Sequence, residues 1–197
     1  FQKTKKRYYV DFNSHSDIRD KHAFLSPSSP HWLNYDEQKV EARYYSFSAS
    51  VRGTKLHKFA QDAIELGIHI DPRHGALAAY VEDGIAYRMT CEVPLKYSDN
   101  AFGHADTLSF WDFFLRIHDY KSGVTPVKPT QLEVYAAYFC LEYGHSPYDI
   151  QIETRIYQGD EATIFEPPPE RIQAIMETVV KHDKQIQDLR EVERWHS

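Results

Sequence analysis

Along the chain, apolar positions first keep a helical rhythm and then, past residue 85, fall into strand-like runs. Residues 35–47 fit one helix. A second is predicted from about 52 to 66, where Leu56, Phe59, Ala60, Ala63, Ile64 and Leu66 form an apolar stripe that stops at Gly67. Residues 74–84 fit a further short helix. The segments 86–96, 102–110 and 113–121 are rich in β-branched and aromatic residues and separated by short breaks, which predicts consecutive strands of a meander. Beyond Gly123, Pro126 and Pro129 a helix is predicted over 130–143, ending at Gly144. Two more strands fit 148–158 and 161–165. Pro167–Pro169 then open a last helix, about 169–194, whose Ile172, Ile175, Met176, Val179 and Val180 keep the i, i+3, i+4, i+7 spacing. Residues 1–31 read as irregular and end in a Ser-Pro-Ser-Ser-Pro turn. This order predicts an α/β fold, a central mixed β-sheet flanked by helices, in a single domain over 1–197.

Composition narrows the class without naming a function. With 197 residues, 42% hydrophobic and 26% charged, the chain has enough apolar material for one core and does not read as disordered. No apolar run approaches the roughly 18 residues of a membrane span, and no signal-peptide pattern is visible, so a cytoplasmic protein without a membrane partner is expected. The two cysteines, Cys91 and Cys140, fit buried free thiols and are too few for an ordinary four-cysteine iron–sulfur cluster.

A net charge of -6 argues against a protein that coats DNA nonspecifically. An enzyme whose acidic centre is offset by bound divalent cations partly escapes that objection. Charge is also uneven along the chain. Lys3, Lys5, Lys6 and Arg7 make a basic start, and Arg52, Lys55 and Lys58 recur every three residues with no acidic residue among them. The second cluster is a candidate DNA contact, with solvated surface as the plain alternative.

The chemistry concentrates in Gly103-His104-Ala105-Asp106 and, on the next predicted strand, Asp119-Tyr120-Lys121-Ser122-Gly123. Strand residues two apart share a face, so Asp119 and Lys121 project together, and pairing of adjacent strands brings Asp106 alongside. Two carboxylates and an ammonium at one end of a sheet suit phosphodiester hydrolysis. Hard oxygen ligands hold Mg²⁺ or Mn²⁺, which activates water, and a lysine beside them stabilises developing charge. For the Asp-x-Lys tripeptide alone, which is very common, an exposed ion pair is the better explanation.

The wider set of motifs changes that balance. Gly53-Thr54-Lys55-Leu56-His57 lies upstream and Gln131-Leu132-Glu133-Val134-Tyr135-Ala136 downstream, with Gln131 and Tyr135 on one helix face. In this order the four motifs, spanning residues 52–140, resemble the RecB-like branch of the PD-(D/E)XK nuclease superfamily, which includes phage exonucleases. The resemblance implies a restriction-endonuclease-like core and metal-dependent cleavage of DNA, with an exonuclease in recombination or end processing as the leading subtype. It implies His57, Asp106, Asp119 and the main-chain carbonyl of Tyr120 as metal ligands, with Glu92 joining them from the first strand. Lys121 then corresponds to the catalytic lysine, and Gln131 and Tyr135 to the helix pair that supports it. Mg²⁺ or Mn²⁺ is the implied cofactor and DNA the implied partner, with a recombination or single-strand-annealing protein as a second. A bacterial or phage-infected cytoplasm is the implied setting.

This chain departs from many relatives by carrying Gln61 four residues after the histidine, where they have Glu, and it lacks cluster cysteines and helicase motifs. Two alternatives stay open: a non-catalytic DNA-binding protein on the same fold, and a metallohydrolase of small phosphoesters. The remaining histidines follow no zinc spacing. His118 should point away from Asp119. Trp32, Tyr44, Tyr45 and Phe47 suit either packing or base stacking.

Overall fold

The computed structural model describes residues 23–196; the basic start and His15 and His22 lie outside them. The chain divides into two compact units, the first ending at Ser48 and the second beginning at Ala49. In the first, Trp32 Nε1 donates to the Ser26 carbonyl at 2.9 Å, and the Phe24 ring packs 5.9 Å from that of Tyr44 and 5.7 Å from that of Phe47. Tyr45 is exposed.

Where the apolar pattern predicts two helices, one continuous helix, α1, runs over Glu37–Leu66. The Ser-Ala-Ser-Val stretch at 48–51 contains neither proline nor glycine to end it. Its polar surroundings are absorbed by the helix itself: Ser46 Oγ donates to the Ala42 carbonyl at 3.1 Å and Thr54 Oγ1 to that of Ser50 at 3.2 Å. At the start, Asp36 Oδ1 accepts from Lys39 N at 2.8 Å and so satisfies a free amide of the first turn.

The second unit is a mixed α/β arrangement around a five-stranded sheet of order β1-β2-β3-β4-β5: β1 (Thr90–Ser98), β2 (Ala101–Trp111), β3 (Phe114–Lys121), β4 (Gln151–Gln158) and β5 (Glu161–Phe165). Three further helices are α2 (Ala76–Ala86), α3 (Thr130–Tyr143) and α4 (Pro169–His196). The first three strands form the expected antiparallel meander. β3 and β4 are parallel, and α3 supplies the crossover that parallel strands require. β1 begins later than the apolar pattern predicts, because Ala86 closes α2 and Tyr87–Arg88 turn the chain, Arg88 with φ 50°. The 148–150 stretch is likewise a turn, closed by Asp149 N donating to the Ser146 carbonyl.

Strand alternation sorts the core to two faces of the sheet. Leu95, Ala105, Leu115, Ile117 and Ile156 pack with α3 residues Leu132, Ala136 and Phe139 and with Ile172 of α4. On the other face Tyr120 and Tyr157 pack with Ala60, Ala63 and Ile64 of α1 and with Leu77, Tyr80 and Val81 of α2. Asp119 and Lys121 continue the Leu115–Ile117 face, whereas His118 and Tyr120 look towards α1 and α2. Among the described residues no helix is long and apolar enough to cross a membrane.

Candidate metal centre

The site forms where the sheet splits. β2 and β3 pair from Trp111↔Phe114 to Thr107↔His118 and then stop pairing, although β2 stays with β1 as far as Ala101 and β3 stays with β4 as far as Lys121. Asp106 and Asp119 are the first residues past the last pair. The split coincides with an irregularity in β2: Ala105 and Leu108, three residues apart, both pack in the cluster against α3, so the two-residue alternation is broken between them. Opposite Asp106, between the pairs Cys91↔Thr107 and Val93↔Ala105, Glu92 has φ 51°. A non-glycine residue in that region costs roughly 1–2 kcal/mol, and such strain gathers at functional sites.

Elements from both faces converge on the split. From α1, His57 Nδ1 comes 3.2 Å from Asp106 Oδ2. The approach is close but poorly aligned, and Asp106 Oδ2 is left buried with no hydrogen-bond donor. Asp119, only 2% exposed, is held on one side: Lys121 Nζ donates to its Oδ1 at 2.9 Å, while its Oδ2 is buried without a donor. The same Nζ donates to Gln131 Oε1 of α3 at 3.3 Å, and Gln131 Nε2 to Tyr135 Oη at 3.4 Å. A continuous relay of side chains therefore runs from Asp119 through Lys121 and Gln131 to Tyr135.

The charges respond to this crowding. Burial, with the nearby Asp106 carboxylate second, pushes Asp119 up to about 6, against the downward pull of Lys121 and His57. The Asp106 carboxylate raises His57 above its ordinary value, against the opposing effect of burial. Two close carboxylates, each with an undonated buried oxygen, are a combination that a hard divalent cation would relieve. His57, Asp106 and Asp119 fit such an ion by donor type, and the Tyr120 carbonyl lies in the chain between Asp119 and Lys121. Among the described residues, however, no three His, Cys, Asp or Glu side chains are already gathered to metal-binding range. Lys121 holds one oxygen of Asp119.

Two motif glycines have a physical explanation here. A side chain at Gly103 would stand 2.9 Å from Tyr135 Cε1, and one at Gly53 would stand 2.7 Å from Ser122 Oγ. The glycine of the Asp106 motif thus makes room for the tyrosine of the α3 motif, and that of the His57 motif for the serine that follows Lys121. Gly103→Ala should push the Tyr135 ring aside and loosen the relay to Lys121, at a cost of roughly 1–3 kcal/mol in stability if the ring cannot yield. Denaturant unfolding measures the stability loss, and single-turnover DNA cleavage measures the loosened relay.

The other expected residues are placed less centrally. Glu92 is exposed, and its charge falls on Lys58, which is held charged mainly by Asp62 and then also by Glu65 and Glu92. Gln61 accepts from Lys58 at 3.4 Å and donates to Glu65 at 2.8 Å, away from the carboxylates. His104 is exposed. The basic cluster divides: Lys58 pairs with Asp62 at 2.9 Å, whereas Arg52 and Lys55 are exposed with no ion-pair partner among the described residues.

A buried polar network behind Asp119 has no counterpart in the motifs. Arg155 Nη1 meets Asp83 Oδ2 at 2.8 Å and its Nε donates to Glu153 at 2.8 Å; Tyr157 Oη donates to the same Asp83 oxygen at 2.5 Å. His118 Nδ1 lies 3.2 Å from Tyr157 Oη, and burial with the two arginines, Arg155 and Arg116, drives its pKa down to about 3, so it is neutral near pH 7. The network ties α2 to β3 and β4 directly beneath the site. Its signal in the sequence is charge at every second strand position, Arg116-Ile-His118 and Glu153-Thr-Arg155, which marks a polar strip under a helix.

Near Lys121 the surface opens into a shallow cleft of about 480 Å³ lined by Tyr120, Lys121, Ser122 and Gly123. A larger one, about 580 Å³, lies at the far end of β2 and β3. The smaller touches the candidate site through Lys121, and neither Asp106 nor Asp119 lines it. Compared with family models, curated proteins and solved structures, the chain matches none of them.

Proposed function

We propose that this protein is a divalent-metal-dependent deoxyribonuclease with a restriction-endonuclease-like core, acting as an exonuclease in recombination or end processing in a bacterial or phage-infected cytoplasm. The observation that carries the reading is the split between β2 and β3, where Asp106 and Asp119 each keep a buried oxygen without a donor and Lys121 bridges Asp119 to Gln131. His57, Asp106, Asp119 and the Tyr120 carbonyl would hold Mg²⁺ or Mn²⁺. When bound, that ion supplies Lewis-acid polarisation of the phosphate and a more acidic water.

The chain's own groups supply the rest. Asp119 and Asp106 position the oxygens that face the scissile phosphate. Lys121, held by Gln131, places a fixed positive charge where negative charge builds up during displacement. Tyr135 and Gln131 keep α3 docked at Gly103 so that this ammonium does not wander. A DNA-binding protein that never cuts has no use for an ammonium tethered to a buried carboxylate, which favours the enzyme over the binding module.

End-labelled linear and covalently closed circular DNA, each incubated with Mg²⁺ or Mn²⁺, test the reading. Loss of label from linear DNA with circles intact is the expected result. Cutting of circles would assign an endonuclease instead, and binding without cutting of either form would replace the enzyme by the binding module.

DNA contact outside the site should fall to Arg52 and Lys55, since Lys58 already has Asp62. Each lost phosphate contact lowers the slope of log affinity against log salt by about 0.7–0.9. The Arg52→Ala, Lys55→Ala double variant should therefore flatten that slope by about 1.4–1.8, and Lys58→Ala should change it little. An unchanged slope in the double variant would show that the pair is solvated surface.

A further inference from the structure

The larger cleft, about 580 Å³, opens where β1 begins at Thr90 and leaves Ser109–Trp111 of β2 with no strand on that side. Its size falls in the range usual for small-ligand sites, roughly 300–1,000 Å³. Arg88 and Arg116 line it, together with the hydroxyls of Thr90 and Ser109 and the ring of Trp111, and no Asp or Glu does.

Arg116 shares the Glu153 carboxylate with Arg155. Its guanidinium stacks 3.8 Å from the centroid of the Phe114 ring and 4.5 Å from that of Tyr87, so its plane is held in place. That carboxylate stands 3.6 Å from the Arg116 Nε and accepts from Arg155 at 2.8 Å. Arg116 Nε is buried with no hydrogen-bond partner. A fixed guanidinium is suited to bidentate capture of phosphate or carboxylate.

The rim adds a second, independent feature. Trp111 is 82% exposed, an unusual position for so large an apolar ring. The turn beside it carries Asp112 at φ 51° and Phe113 at φ 60°, two consecutive non-glycine residues in the left-handed region. Positive φ at both central residues is the ordinary geometry of a two-residue hairpin turn. This tight β2–β3 turn sets the indole on the cleft wall, where it offers an open face to a flat ring.

We propose that this cleft binds the phosphomonoester and base of a nucleotide, with Arg116 and Arg88 taking the phosphate and Trp111 the base. The shared chemistry has two sources, a free mononucleotide and the phosphorylated end of a DNA strand. The proposal is independent of whether Asp106 and Asp119 cut DNA.

Calorimetric titration of the full chain in EDTA tests it, with dAMP, deoxyadenosine, inorganic phosphate, and a short oligonucleotide with and without a terminal phosphate. The expected result is saturable binding of dAMP, about tenfold or more tighter than of deoxyadenosine or phosphate alone. Arg116→Gln and Thr90→Glu should each weaken it by about tenfold. Thr90 is exposed, so its variant keeps the test valid if Arg116→Gln does not fold. A gain from the oligonucleotide's terminal phosphate that disappears in Thr90→Glu assigns a strand end, and dAMP binding without such a gain assigns the free nucleotide. Absence of both dAMP binding and the phosphate-dependent gain, or binding undiminished in both variants, overturns the proposal.

Discussion

Replacing Lys121 by alanine should slow DNA cleavage by about 100- to 1000-fold while leaving DNA affinity nearly unchanged. That is the usual effect of removing one preorganised electrostatic group from the transition state. Lys121 Nζ already sits 2.9 Å from Asp119 Oδ1 and 3.3 Å from Gln131 Oε1, so its position is set before substrate arrives. An interaction that grows as charge develops affects turnover more than ground-state binding. DNA affinity in Ca²⁺ and single-turnover cleavage in Mg²⁺ separate the two. Lost affinity with normal cleavage at saturating DNA would make Lys121 a phosphate anchor instead. Gln131→Ala should move the same rate in the same direction by less, because Lys121 keeps its contact with Asp119.

Asp119→Asn should abolish cleavage and, in metal-free buffer, make the fold more stable. The Asp119 carboxyl is pushed up to about 6, by burial first and the Asp106 charge second. A carboxyl with a raised folded-state pKa is harder to ionise folded than unfolded, so its penalty is absent below the unfolded value near 3.8. The penalty grows as pH rises from there to about 6 and is constant above. A tenfold difference in acidity between the folded and unfolded chain is worth about 1.4 kcal/mol, and the lost Lys121 contact offsets part of the gain. In EDTA the variant should therefore melt higher than the parent at pH 8, and the difference should close near pH 4. Equal melting temperatures at both pH values would show that Asp119 is not strained by its surroundings.

Local pattern is enough for the elements whose ends carry a strong chemical signal. The helix at 130–143 is bounded by Pro129 and by Gly144 at φ 71°, and both boundaries are explicit in the chain. Period-two spacing likewise puts Asp119 and Lys121 on one face. Continuity of α1 through 48–51 is not legible, because serines that suit a helix end also suit a helix whose hydroxyls bond back to carbonyls. The split at Asp106 is hidden for a different reason. It lies opposite Glu92 at φ 51° on the neighbouring strand, a conformation that no residue type announces. The network of Asp83, Arg155, Tyr157 and His118 escapes local pattern because it is assembled by the parallel register His118↔Arg155, which the α3 crossover sets from a distance.

The glycines show both limits at once. Gly53 and Gly103 stand out as motif positions, but nothing local says what each makes room for. Only the packed structure sets Ser122 against one and Tyr135 against the other.

The most direct measurement is cleavage of end-labelled linear DNA by the parent protein in Mn²⁺ or Mg²⁺, with and without excess EDTA. The account predicts loss of label with either metal and none in the chelator. Full cleavage in excess EDTA, or intact DNA with both metals, would contradict it.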